Sequence, residues 1–351
     1  MVKELLKKLS NAHGLSSYEG SIREIIRTEL EGHVDEFSED AMGNLVAIRR
    51  GGDFKVMVAS HMDEIGLMVQ YIDDEGFIRF VPIGGWFGPV LYTQRVVLHG
   101  KKGDVPGVIG AKPPHLLSPP EDRKKEVKID DFFIDIGATS AEDVANLGIE
   151  IGTPVTIDRE FTELANNRVT GKAMDNRVGV ALLIKALKET TSPHTIYGGV
   201  FTVQEELGLK GGAKVSAFTL DPDCAIATDV TIPPGDHPGV TKKEASPVMG
   251  KGPVLVLVSA QGRGLMADWK LAGWLREAAD EADIPYQLEV GTGGNTDATI
   301  IHLVRGGIPS IPLSIPARYI HSPPVEVVDI GDVEAGVSLL LAALKRDSPF
   351  A

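Results

Sequence analysis

The sequence predicts an α/β fold: a mixed sheet with helices on both faces, interrupted by a smaller inserted β-rich module. Three observations carry this. From about residue 164 onward, helical and strand patterns alternate. Between residues 67 and 163 the texture is instead short runs of β-formers separated by Gly, Pro and Asp, as in a small β-barrel or β-sandwich. Several apolar runs outside that insert end abruptly in ionisable residues. The expected division is therefore residues 1–66 and 164–351 as one α/β domain, with residues 67–163 inserted into it.

The elements follow in order. Leu5, Leu6 and Leu9 recur at helical spacing, and so do Ile22, Ile25, Ile26 and Leu30. Residues 44–48 and 55–59 read as strands, with Gly51-Gly52-Asp53 as the turn between them. In the insert, strands are expected at 68–72, 77–81, 95–99, 105–109, 132–136 and 154–157. Asp73-Asp74-Glu75-Gly76 makes a hairpin turn, 141–146 a short helix and 113–126 a loop. Beyond it, helices at 178–188, 269–281, 298–304 and 333–345 alternate with strands at 199–203, 224–227, 286–290 and 308–315.

Composition narrows the function. The chain has 351 residues and a formal charge of −14, from 35 Lys+Arg against 49 Asp+Glu. That balance argues against a nucleic-acid surface, which needs clustered cations. The richest apolar stretches, 254–258 and 337–344, are too short to span a bilayer. The opening residues 1–8 carry charges at helical spacing, so no targeting segment is expected. Cys224 is the only cysteine, which excludes an intrachain disulfide. A soluble cytoplasmic protein is the expectation.

The chemistry sits where apolar runs stop. Residues 56–60 lead into His61-Met62-Asp63-Glu64, residues 200–203 into Gln204-Glu205-Glu206, residues 224–228 into Asp229, and residues 311–315 through a short loop to His321. Ligands of open α/β sheets bind outside the carboxyl ends of strands. Histidines and carboxylates without thiolate suit Zn²⁺, Co²⁺ or Mn²⁺ in a reactive site better than a Cys-type structural site. Strand alternation puts His61 and Asp63 on one side, as when a carboxylate orients a metal-binding histidine. A free carboxylate beside a metal ligand, as in Glu205-Glu206, is what a general base requires. Singly, each has an ordinary reading: a helix N-cap for Asp175, solvated turns for Glu205-Glu206 and Asp229, a loop histidine for His321. Their shared placement is the stronger argument.

Other motifs fall away. Gly291-Thr292-Gly293-Gly294-Asn295 lacks the Gly-Lys-Ser/Thr ending of a phosphate loop. Ser259, Ser314 and Ser322 have no nucleophile-elbow context. Cys224 reads as core packing. His13, His33, His194 and His237 read as surface or core residues, and His115 as a structural residue at an interface.

The segments Ser60-His61-Met62-Asp63-Glu64-Ile65-Gly66, Ala173-Met174-Asp175-Asn176-Arg177, Val203-Gln204-Glu205-Glu206-Leu207-Gly208, Thr228-Asp229-Val230-Thr231, Asn295-Thr296-Asp297-Ala298 and Pro316-Ala317-Arg318-Tyr319-Ile320-His321-Ser322 closely resemble the M42 family of metallo-aminopeptidases, which includes the tetrahedral TET peptidases. The resemblance implies a di-metal peptidase domain carrying a β-barrel or PDZ-like dimerisation insert. It assigns His61, Asp175 and Asp229 to one divalent ion (zinc or cobalt), and Glu206 and His321, with the shared Asp175, to the other. Glu205 would be the general base, and Asp63 the carboxylate orienting His61. It further implies peptide substrates with a free N-terminus and dimers assembling into a dodecamer. Asn295 departs from the family pattern near the expected substrate pocket, which would lie around residues 291–299, 232–238 and 261–264. The alternatives are another metal-dependent amide hydrolase, such as a deacylase, and an endoglucanase-like glycosidase using paired carboxylates.

Overall fold

The computed structural model describes residues 1–116, 128–232, 237–241, 243–291, 293–322 and 325–350. Most of the 113–126 loop, the turn Pro233-Pro234-Gly235 and Thr292 lie outside the described residues.

In chain order the helices are α1 Val2–Asn11, α2 Gly20–Leu30, α3 Ala141–Asn146, α4 Met174–Glu189, α5 Gly211–Leu220, α6 Trp269–Glu281, α7 Ala298–Ile301 and α8 Ile330–Leu344. The strands are β1 Glu36–Glu39, β2 Leu45–Arg49, β3 Gly52–His61, β4 Gly66–Ile72, β5 Ile78–Ile83, β6 Arg95–Gly100, β7 Gly103–Gly110, β8 Phe133–Asp135, β9 Pro154–Ile157, β10 Thr162–Glu163, β11 Arg168–Gly171, β12 His194–Thr202, β13 Cys224–Thr231, β14 Val254–Val258, β15 Gln287–Val290, β16 Ser310–Arg318 and β17 Glu326–Asp329.

Two sheets result. The larger is mixed and runs β1-β2-β12-β3-β13-β16-β17-β11-β10, with β14 and β15 branching from β16. The smaller closes as a barrel, β4-β5-β8-β7-β6-β9, so it leaves no open edge. Its strand pattern was readable because each run alternates: Leu67, Val69, Ile78, Phe80, Val96, Leu98 and Val155 face its own interior. The central strand β13 is buried on both faces, and its first half, Cys224–Ala227, reads as a continuous apolar run. One face of the large sheet packs Val56, Val58, Ile226 and Ile311 beneath α1, α2, α4, α6 and α8. The other packs Met57, Ala59 and Ala225 beneath α5 and α7.

Some elements differ from expectation. Strands β2 and β3 are not hairpin neighbours, because β12 lies between them. The connection hops the start of β12, and a Cβ on Gly51 would fall 2.3 Å from the His194 carbonyl oxygen. Gly52 and Asp53 already belong to β3. Helix α7 stops at Ile301, and α4 begins at Met174. Helix α5 and strands β1, β10, β11, β14 and β17 had no prediction. Four of those strands are two to four residues long, and α5 opens on Gly211-Gly212, poor helix formers. Cys224 is buried, which pushes its thiol well above the ordinary range. Among the described residues, no helix is long and apolar enough to cross a membrane.

Candidate metal centre and substrate cavity

Strands β12, β3, β13 and β16 are consecutive neighbours in the large sheet. Their carboxyl ends therefore meet. His61 closes β3, Asp229 lies near the end of β13, Glu205 and Glu206 follow β12, and His321 follows β16. Asp175 enters from the first turn of α4, where Asp175 and Asn176 leave helical geometry. The N-cap position is Ala173, and no side chain caps this end, so Asp175 is released from the ordinary capping role. Asn176 holds the turn instead: its Nδ2 donates to the Thr228 carbonyl at 2.8 Å, and its Oδ1 accepts from the Gly179 amide at 2.9 Å. Ala173, Gln204, Tyr319 and His321 all have positive φ. Such costly conformations are typical of functional sites.

The two oxygens of Asp175 point to different histidines. Oδ1 is 3.1 Å from His61 Nε2, and Oδ2 is 3.4 Å from His321 Nε2. His61 Nε2 is also 3.9 Å from Asp229 Oδ1, and His321 Nε2 is 3.3 Å from Glu206 Oε2. Three sets of side chains bring their donor atoms within 4.8 Å of one another: His61, Asp175 and Asp229; Asp175, Glu206 and His321; and His61, Glu205 and Glu206. These groups can bind metal. The donor set of imidazole nitrogen and carboxylate oxygen fits a divalent transition ion.

Asp63 does more than stand behind His61. His61 Nδ1 lies 3.2 Å from the backbone carbonyl of Asp63 and 3.4 Å from its carboxylate. Donation from Nδ1–H to that carbonyl leaves the Nε2 lone pair facing Asp175 and Asp229. The Asp63 carboxylate accepts from the amides of Glu205 and Glu206, at 3.1 and 3.2 Å, and from Ser16 Oγ at 2.6 Å. It thus fixes the turn that carries both glutamates.

The electrostatics record crowding. Burial pushes Asp229 up to about 8, with the Asp175 charge adding to it. Burial also raises Glu206. Burial works against the His321 cation, but hydrogen bonds to Asp175 and Glu206 outweigh it and raise His321 to about 11. Asp175 is held below the usual carboxylate range, because both histidines overcome its burial.

Lys210 and Glu326 escaped the sequence reading, while Asp297 and His237 lay in segments expected near the pocket but were given no role. Lys210 pairs with Glu205. Glu326, raised to about 8 by burial and by the Asp175 charge, accepts from the amides of Asp175 and His321, each at 3.1 Å. Asp297 accepts from Thr202 Oγ1 at 2.5 Å. His237, read as a surface or core residue, packs edge-on against Tyr319 at the cavity wall. Lys210 and Glu326 are lone charges, so no local pattern marks them. His115 is exposed and stands outside the cavity.

A cavity of about 810 Å³ opens from the centre. Residues 230–232 of β13 and its exit, Glu289 and Asn295 line it. Gly85, in the loop after β5, closes one side: a Cβ there would fall 2.9 Å from His321 Nδ1. At Gly84 a Cβ would fall 2.4 Å from Ile65 Cγ2.

A mixed sheet with a histidine–carboxylate cluster at its strand ends, opening on a cavity, has the make-up of a metal-dependent hydrolase. The chain belongs to the M42 peptidase family: the family model for M42 glutamyl aminopeptidase matches residues 43–339. It is 37% identical over 352 residues to the lysyl aminopeptidase of Pyrococcus furiosus, covering 99% of this chain and 97% of that one. An aminopeptidase structure from Desulfurococcus kamchatkensis superposes with a TM-score of 0.92 at 42% identity, covering 99% and 96% of the two chains. The Pyrococcus horikoshii TET1 peptidase, which assembles into a tetrahedron or a large octahedral shell, superposes with a TM-score of 0.87 at 33% identity over 99% and 100%.

Proposed function

We propose that this aminopeptidase works with two divalent ions, zinc or cobalt, one held by His61, Asp175 and Asp229 and the other by Asp175, Glu206 and His321. The observation that carries this is the split of the Asp175 carboxylate, one oxygen towards each histidine. Ions bound there supply Lewis acidity that makes water nucleophilic near neutral pH and polarises a carbonyl. The chain's own groups do the rest. Glu205, beside the ligands but assigned to neither set, takes the proton of the attacking water and delivers it to the leaving amine. Lys210 holds the Glu205 carboxylate in place. Asp63 fixes the glutamate turn and the His61 tautomer. The carboxylates around the centre attract the free α-ammonium of a peptide, which limits cleavage to the first residue.

The same reading extends to organisation. Residues 67–163 act as a separate inserted unit that makes dimer contacts, consistent with the exposed apolar side chains Tyr71, Val108 and Ile151 on it. Such dimers build a closed dodecamer, as the TET1 relative's shell suggests, and the lone, buried Cys224 suits a cytoplasmic setting. Native mass measurement giving only monomer would remove the assembly proposal.

The direct test is a panel of aminoacyl p-nitroanilides, run after chelation and after adding back zinc or cobalt, with N-acetylated counterparts alongside. Metal-restored activity on free amines alone is expected. Cleavage of the acetylated substrates would point to a deacylase, and chelator-resistant activity on cellulose to a glycosidase.

A further inference from the structure

The cavity carries a carboxylate that the proposed reaction leaves unused. Glu289, on β15, is 6% exposed and lines the cavity. Its Oε2 accepts a hydrogen bond from Thr231 Oγ1 at 2.7 Å. Burial raises its carboxyl, the Thr231 bond alone opposes this, and no cation of the described residues bears on it. The other charged lining groups are already engaged. Lys210 pairs with Glu205, Arg318 has a partner of its own, and His237 Nδ1 lies 2.6 Å from the Pro238 carbonyl.

The position of this carboxylate is informative. Thr231 and Asp229 lie two residues apart on β13, and both line the cavity. Alternation sets them on one face about 7 Å apart, close to the reach of the four-carbon stem of lysine. The cavity wall also carries the apolar side chains Val230, Ile232, Val256 and Ile320. Ser314 Oγ, fully buried and without a hydrogen-bond partner, faces the same cavity.

We propose that Glu289 determines specificity, and that the cavity selects a cationic first residue, lysine or arginine, with its stem along the apolar wall and its charge on Glu289. This rests on the aminopeptidase reading above. A buried carboxylate without a counter-charge is costly, and a cationic side chain supplies that charge. A neutral side chain of the same length leaves the carboxylate unpaired, and an acidic one is repelled.

The test compares kcat/KM for lysine, arginine, norleucine and glutamate p-nitroanilides on metal-loaded native protein, Glu289→Gln and Glu289→Arg. Lysine and arginine should exceed norleucine by about tenfold or more in the native protein, as expected when a site built to pair a polar group meets an analogue lacking it. Glu289→Gln should remove that advantage, while an unchanged metal content and denaturation midpoint report an intact fold and centre. Glu289→Arg should shift preference towards glutamate. Calorimetric binding of L-lysine against L-norleucine reads the pocket without turnover, and lysine should bind more tightly only when Glu289 is present. A native preference for norleucine or glutamate, or an unchanged lysine-to-norleucine ratio in Glu289→Gln, would overturn the proposal. Failure of every free-amine substrate, with lysine still favoured in calorimetry, would instead refute the aminopeptidase mechanism and leave the pocket assignment standing.

Discussion

Two buried charge clusters sit side by side at the end of β3, and they are built on opposite plans. In one, Glu64 accepts two hydrogen bonds from Lys172, at 2.8 and 2.9 Å, and one from Arg177 at 3.3 Å. Burial opposes the Glu64 charge, but the two cations overcome it and hold the carboxyl below its ordinary range. In the other, Asp175, Glu206 and Asp229 gather around His61 and His321, and burial pushes Glu206 and Asp229 upward. The first cluster is balanced by the chain itself. The second has more carboxylate than the chain can neutralise, so its balance comes from outside. Buried charge alone does not mark a reactive centre; the deficit of counter-charge does.

The comparison can be broken at several points. The largest effect should come from Glu205→Gln, which removes the proposed proton acceptor and should lower kcat by about 10²–10⁴-fold. Metal analysis should still find the full complement, and turnover near the native rate would refute the base assignment. Next is Glu64→Gln, which strands Lys172 and Arg177 in the core and should cost about 3–5 kcal/mol in denaturant unfolding. Metal content per folded subunit should not change. Chelation sharpens the contrast, since only the second cluster depends on an outside cation. With free metal at 100 times its Kd, removal should cost about 2.7 kcal/mol of stability, read as a fall in Tm.

Asp63→Asn should weaken metal affinity or activity by about 10–100-fold, because the residue orients the histidine and the glutamate turn without itself joining either ligand set. The smallest effect concerns His13, which burial and then the Lys172 charge hold down at about 4. Its ordinary value is about 6.5. Between those values the unfolded chain takes up a proton that the folded chain refuses. Stability from this group is therefore complete above pH 6.5 and is lost as pH falls towards 4, by roughly 1 kcal/mol after allowing for solvent screening. The loss should flatten in His13→Gln, and an unchanged pH profile would remove the assignment.

The same contrast explains what was readable in the sequence. His61, Glu205, Glu206 and Asp229 stood out because each ends an apolar strand, a local pattern that survives without coordinates. The barrel stood out through alternation and Gly/Asp turns such as 73–76. Glu326 and Glu289 did not, because what makes them matter is a neighbour far along the chain: Asp175 for Glu326 at a separation of 151 residues, Thr231 for Glu289 at 58. The order β2-β12-β3 was hidden for the same reason, since nothing around Gly51 announces that a strand from residues 194–202 will slide between its flanks.

Gly84 and Gly85 carry a consequence for anyone wishing to trim the molecule. Their loop joins barrel strands β5 and β6, yet it closes the cavity against His321 so closely that a Cβ at Gly85 would fall 2.9 Å from His321 Nδ1. The barrel is therefore no detachable cassette. Splicing the chain from Gly66 directly to Leu164 would keep all the proposed ligands and still unroof the pocket, so a minimal enzyme made by excision would keep the proposed chemistry's parts and lose one of its walls.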